Sequence, residues 1–262
     1  MVESITYICP YCKSPLKASQ DAYFCHTCNK TYYLINGIPN FMMQDEFQNT
    51  IPLIKSGTFN KIAKLYDTDF IYNLTYHTLC GIKVPSLTKL KQKIVDLCDP
   101  HGKIVLDVAC GTGKFTRVIA KKAYKVYGID ISQGMLEQAQ IEVEKDKLDN
   151  IILSQGNVEI LPFKDQIFDT ACCMGALPYF PDTVRALKEV ARTLKPKSPF
   201  VIMTLIRKRI FKHKLVYEHM LKSHGAHIFQ VDELLNWLDE AGFVVVMYKI
   251  HGSMILLQAN KK

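Results

Sequence analysis

From Pro100 onward the apolar positions of this chain switch repeatedly between two spacings. Runs rich in β-branched residues at 103–108, 125–130, 151–155, 167–174 and 200–205 have the length and continuity of buried strands. Segments at 114–123, 132–145, 182–194 and 232–241 carry apolar residues three and four apart, the period of a helix. Strands alternating with helices predict parallel β-α-β units and a doubly wound α/β sheet. Two further runs, 243–248 and 253–258, are parted only by a short break at His251-Gly252. No crossover helix fits there, so these last strands must pair antiparallel. Upstream, Ile62, Leu65, Tyr66, Phe70 and Leu74 mark a helix that begins near Phe59, and 86–98 reads as a second with Ser86 as its cap.

The first 40 residues follow neither period. Four of the nine cysteines lie within the first 28 residues, as Cys9-Pro10-Tyr11-Cys12 and Cys25-His26-Thr27-Cys28. Two knuckles of this type supply the four soft donors of a tetrahedral zinc ion, Cys9, Cys12, Cys25 and Cys28. Four ligands leave no open position for chemistry, so the predicted site is structural, and metal would largely drive the folding of so short a segment. Unliganded or redox-active cysteines are the plainer alternative, and His26 is a competing donor. The predicted organisation is therefore a zinc ribbon at 1–40, a linker at 41–58 containing Pro52 and Gly57, and an α/β domain at 59–262.

Charge and hydropathy change this picture little. The net charge of +8 is spread along the chain, as in a solvated surface more than a nucleic-acid site. The apolar runs stop well short of the roughly 18 residues of a membrane span, and the first residues lack the pattern of a signal peptide. A cytoplasmic protein with reduced cysteines is expected.

The most informative stretch is Ile104-Val105-Leu106-Asp107-Val108-Ala109-Cys110-Gly111-Thr112-Gly113, a strand entering a glycine-rich turn ahead of a helix. It resembles the first motif of class I S-adenosylmethionine (SAM)-dependent methyltransferases, with Ala109 where glycine is usual. The resemblance extends through 59–258 and is strongest to the branch containing the ubiquinone and menaquinone methyltransferases. It implies a Rossmann-like sheet of seven strands, the last antiparallel, with SAM as cofactor. Carried over position by position, Asp107, Ala109, Gly111 and Gly113 would form the cofactor turn, and Asp130 would accept the ribose hydroxyls. Ile131 and Met135 would flank the adenine, with Asn157 and Val158 at its edge and Met174 and Gly175 beneath the methionine end. Asn157 replaces the usual acid, but its amide oxygen can still accept a hydrogen bond. Tyr66, in the opening helix, would close over the cofactor. The cysteine segment resembles zinc ribbons that are fused to, or partner, several methyltransferases, including rRNA enzymes in which they help to bind RNA.

Methyl transfer from a sulfonium needs alignment and exclusion of water more than acid–base groups, so few catalytic side chains are expected. Tyr179, following the fourth strand of the α/β domain, and His227, ahead of the helix at 232–241, are the candidates. Cys172 and Cys173 read as core residues. Between 206 and 228 lies a predicted lid. Its basic run Arg207-Lys208-Arg209-Ile210-Phe211-Lys212-His213-Lys214 places Ile206, Ile210, Phe211, Leu215 and Val216 on one face of a helix. Such a lid would suit a membrane surface or a phosphate-bearing substrate, or be an ordinary packed helix with a solvated basic edge. His213, His219, His224 and His227 also fall here, at spacings that suit a metal poorly. The leading expectation is methylation of a small aromatic or lipid-like acceptor. The alternatives are an RNA base methyltransferase that uses the ribbon and the basic lid, and a non-catalytic SAM-binding scaffold.

Overall fold

A computed structural model describes residues 7–43, 63, 68–80 and 85–262. The N-terminal segment forms a four-stranded antiparallel sheet from β1 (Lys17–Ala18), β2 (Ala22–Cys25), β3 (Lys30–Ile35) and β4 (Ile38–Pro39), ordered β1-β2-β3-β4. Two helices follow, α1 (Asp69–Cys80) and α2 (Leu87–Cys98). Leu87, Leu90, Ile94, Val95 and Cys98 of α2 are all buried, an apolar stripe at helical spacing. Ser86 stands at the N-cap of α2 as expected, but its side chain accepts no capping hydrogen bond.

The main sheet is built from β5 (Ile104–Val108), β6 (Lys125–Asp130), β7 (Ile151–Gln155), β8 (Thr170–Met174), β9 (Pro199–Leu205), β10 (Phe243–His251) and β11 (Met254–Lys261). Its order is β10-β11-β9-β8-β5-β6-β7. The strands from β5 to β9 are parallel, and β11 runs antiparallel to both β9 and β10. The tight connection Gly252-Ser253 therefore inserts the last strand between two others, and the expected seven-stranded sheet with its antiparallel end is observed. Helices α3 (Thr116–Ala120), α4 (Gln133–Lys145), α5 (Thr183–Thr193), α6 (Lys214–His224) and α7 (Val231–Glu240) connect the strands. Ser132 and Asp182 cap α4 and α5 by accepting from Met135 N and Arg185 N. Helix α3 is shorter than 114–123, because residues through Phe115 are held in the turn that leaves β5.

One core cluster unites both sheets. Tyr7, Cys9, Leu16, Cys25, Tyr32 and Phe41 pack in the same group as Tyr127, Phe163 and Phe168 of the main body. Ile8 N donates to Pro162 O at 3.0 Å and Phe41 N donates to Gln155 O at 2.8 Å, with Asn40 bridging Gln155 in parallel. The segment after β4 thus meets the β7 edge through one bridge at Gln155, which occupies part of a backbone edge otherwise open to pairing. Residues 44–58 of the expected linker, and Ile62, Leu65 and Tyr66 of the opening helix, lie outside the described residues.

The segment 206–228, expected as a lid, departs from its expected form. Instead of one helix through 206–216, a 3₁₀ turn at Arg209–Lys212 gives way to α6, with His213 as its N-cap residue. Ile206 and Phe211 are fully buried, whereas Leu215 is 82% exposed. The break at His213 rotates the two halves apart, so these residues do not share one face. No helix among the described residues is long and apolar enough to cross a membrane.

Candidate active site and thiolate cluster

The carboxyl ends of β5, β6, β7 and β8 open onto a cavity of about 320 Å³, where ligands meet sheets of this topology. The turn after β5 contributes Ala109, Gly111, Thr112 and Lys114, and β6 with its exit contributes Asp130, Ile131 and Met135. Gly156, Asn157 and Val158 follow β7, and Met174, Gly175 and Tyr179 follow β8. Tight backbone curvature forms the turn. Ala109, Gly111 and Gly113 have φ of 54°, 56° and 72°. At Gly111 and Gly113 this left-handed conformation favours glycine, and a Cβ on Gly113 would also stand 3.4 Å from Ala139 Cβ of α4. Gly113 therefore shapes the turn from behind and does not line the cavity.

Two buried carboxylates organise the floor. Asp107 is 1% exposed and accepts from Thr116 Oγ1 and from Cys172 Sγ at 3.3 Å. Burial raises its carboxyl to about 6, against the lowering effect of those two donors. Asp130 at the end of β6 accepts from Gly111 N at 2.8 Å and Ser132 N at 2.9 Å, so it joins the β5 turn to the β6 exit. Burial also pushes its carboxyl above the ordinary range, opposed by these backbone donors. Asn157 has its amide oxygen engaged already, since Oδ1 caps the following 3₁₀ turn by accepting from Glu159 N at 2.9 Å. Only its second lone pair remains for a ligand.

The structure brings together Asp107, Ala109, Gly111, Asp130, Ile131, Met135, Asn157, Val158, Met174, Gly175 and Tyr179 around this one cavity. Burial raises the Tyr179 phenol, so it stays protonated and can serve as a donor but not as a base. His227 is not among the lining residues. Its ring packs against Trp237 at 5.8 Å and near Phe229 and Tyr217 at 6.4 Å each. Tyr66 lies outside the described residues. Cys172 and Cys173 are fully buried on β8, as a core reading requires. Sequence reasoning missed Lys114, Glu159, Phe180 and Arg185. Lys114 is 4% exposed and donates to Asp69 Oδ1 at 2.9 Å, tying α1 to the cavity turn. Its position right after Gly113 was the available signal.

The comparisons agree with this geometry. Residues 105–197 match the family model described as a methyltransferase domain. The chain is 30% identical over 219 residues to the demethylmenaquinone methyltransferase of Lactococcus lactis subsp. lactis, covering 74% of this chain and 83% of that protein. The chain belongs to the class I SAM-dependent methyltransferases. The demethylmenaquinone methyltransferase of Bacillus licheniformis is 32% identical over 166 residues, covering 62% of this methyltransferase and 66% of the relative. A solved SAM-dependent methyltransferase from Aquifex aeolicus shares the fold, with a TM-score of 0.60 at 20% identity, over 78% of this chain and 98% of that one. This methyltransferase thus uses SAM.

Separately, the Sγ atoms of Cys9, Cys12, Cys25 and Cys28 lie within 4.8 Å of one another. This is the only group of three or more such donors among the described residues, so the lid histidines form no comparable set. Tyr32 OH lies 3.2 Å from Cys9 Sγ, within hydrogen-bond distance of the cysteine cluster.

Proposed function

We propose that this methyltransferase transfers a methyl group to a small aromatic, quinone-type acceptor. The observation that carries the reading is the buried pair Asp107 and Asp130 flanking a glycine turn above one sheet-end cavity, in a chain similar to demethylmenaquinone methyltransferases over most of their length. SAM supplies an electrophilic methyl on a sulfonium. In this reading Asp130 accepts the ribose hydroxyls, Ile131 and Met135 flank the adenine, and Asn157 and Val158 meet its edge. Asp107, Ala109, Gly111, Met174 and Gly175 surround the methionine half. Held there, SAM would offer its methyl for displacement by the acceptor's nucleophilic atom, with the carbon–sulfur bond pair leaving on sulfur and the acceptor's proton passing to solvent. Tyr179 and Phe180 wall the acceptor side, orienting it and excluding water, which supplies much of the rate gain in such displacements. His227, placed among aromatic rings outside the cavity lining, is a packing residue in this reading.

We also infer that the four cysteines hold a structural zinc ion, giving a ribbon at 1–40 ahead of the catalytic domain at 59–262. Four converging soft donors fit that ion and leave no position for substrate. The exposed Leu215, beside the exposed Lys208, Lys212 and Lys214, suits transient contact with the anionic surface in which a lipid-tailed acceptor resides. RNA is the alternative acceptor, through the same basic residues.

Purified protein with methyl-labelled SAM and demethylmenaquinone, or an RNA extract in its place, tests the proposal. Label in the organic phase, lost in Asp130→Ala, is the expected result. Label in RNA alone overturns the acceptor assignment. Binding of SAM without transfer to any pool would indicate a scaffold.

A further inference from the structure

The cysteine cluster shares no residue with the cavity lining, yet one continuous set of contacts links them. Cys9 and Cys25 are fully buried, and Tyr32 OH on β3 contacts Cys9 Sγ. The Tyr32 ring packs on Phe41 at 5.5 Å, and Phe41 is 1% exposed. Phe41 N donates to Gln155 O across the β7 edge. Gln155 is 6% exposed, and its Nε2 donates to Ile131 O at 2.9 Å. Its successor Gly156 donates from N to Asp130 O at 3.0 Å. Ile131, Asp130, Gly156 and Asn157 all line the cavity. Gln155 is therefore held by the N-terminal segment on one side and holds the cavity wall on the other.

We propose that the thiolate cluster and the cofactor half of the cavity are energetically coupled through Phe41 and the positioning residue Gln155. The closed ribbon presses residues 40–41 onto the β7 edge, and this fixes the backbone of Asp130, Ile131 and Asn157 where the nucleoside half of SAM sits. The inference rests on the proposed cofactor site and zinc site. Loss of the metal would release β2 and β3, free residues 40–41 and let the wall relax. Because coupling between binding sites is reciprocal, the factor by which zinc tightens the cofactor must equal the factor by which the cofactor tightens zinc.

Calorimetric titration with S-adenosylhomocysteine, the demethylated cofactor, reads the first half of this cycle on the full-length protein with zinc and after chelation. The expected result is about tenfold weaker binding without zinc, within the usual range of coupling between sites. Loss of binding sites at unchanged Kd, the sign of irreversibly inactivated protein alone, would overturn the coupling. The second half starts from the zinc-loaded protein. Zinc affinity, measured against a competing chelator, should rise by the same factor when S-adenosylhomocysteine is saturating. Gln155→Leu, which removes the bond to Ile131 O while leaving the backbone bonds at 155–156, should retain zinc but reduce this response. Equal zinc affinity with and without S-adenosylhomocysteine would overturn the coupling while leaving the cofactor site intact. Failure of the zinc-loaded protein to bind S-adenosylhomocysteine at all would overturn both.

Discussion

At Ala109 a side chain occupies backbone that favours glycine. Its φ of 54° lies in the left-handed region, where an L-residue bearing a Cβ is strained by roughly 1–2 kcal/mol. Ala109→Gly removes that strain but adds unfolded-state freedom worth about 0.4–1 kcal/mol. The net expectation is a gain of about 0.5–1 kcal/mol in a urea melt, with SAM binding retained. The methyl is tolerated in the turn, as its small size suggests, and its cost falls on the backbone.

Asp107 carries a second prediction at the same scale. Its folded carboxyl, raised to about 6, sits above its ordinary unfolded value of 3.8, so the folded state binds the proton more tightly. The resulting stability is fully present below the unfolded value and is lost as pH rises through about 6. A rise from 3.8 to about 6 corresponds to about 3 kcal/mol. Asp107→Asn removes this titration, so the difference in unfolding free energy between variant and parent should change by up to that amount between about pH 4 and about pH 8. The parent should lose stability relative to the variant as pH rises. A pH-independent difference would show that Asp107 does not titrate with folding.

Among the elements, the segment 206–228 differs most from its periodicity. Phe211 anchors it in a small cluster with Ala226 and Ile228, and the Arg207 guanidinium lies over the Tyr217 ring at 4.0 Å. Gly225, at φ 67°, ends α6 with a left-handed cap. Leu215 contributes nothing to that packing. Leu215→Glu should leave the melting temperature unchanged but weaken sedimentation with anionic vesicles by about tenfold, the loss of one buried leucine side chain. Phe211→Ala should cost about 3–5 kcal/mol of local stability, read from hydrogen exchange across 206–228.

For the whole molecule, the shared core matters more than the division into modules. The Tyr7 ring packs tilted against Phe41 at 4.7 Å and lies 5.6 Å from Phe163, while Lys13 Nζ pairs with Glu189 at 2.8 Å on α5. These contacts leave the N-terminal sheet no separate interior. Calorimetry of the zinc-loaded protein should therefore show one unfolding transition, displaced downward by chelation, with no early peak for an independent ribbon. Phe41→Ala should lower that single transition, with a cost of about 3–5 kcal/mol for an aromatic cavity in this core.

The main sheet and its antiparallel finish were legible along the chain because each depends on local rules, whereas the residues assigned to the cofactor came from the resemblance to the methyltransferase family. Strand runs, helical spacing, a turn whose glycines accept positive φ, and acids at strand ends all act over a few residues, as at Asp107 through Gly113 and at Asp130. The paired cysteines belong here too, since their two-residue spacing already brings two donors together. Only the tertiary structure decided what depends on packing between distant segments. Whether His227 faces the cavity or Trp237, where the lid helix breaks, and that Asn157 spends one lone pair on its own turn follow from neighbours that periodicity does not specify. The docking of residues 40–41 on β7 is of the same kind, because an edge strand offers its backbone groups to any extended segment. Arg185 reaches the cavity only because α5 is packed beside it, whereas Lys114 already stands in the cavity turn and is tied down there by Asp69 of α1.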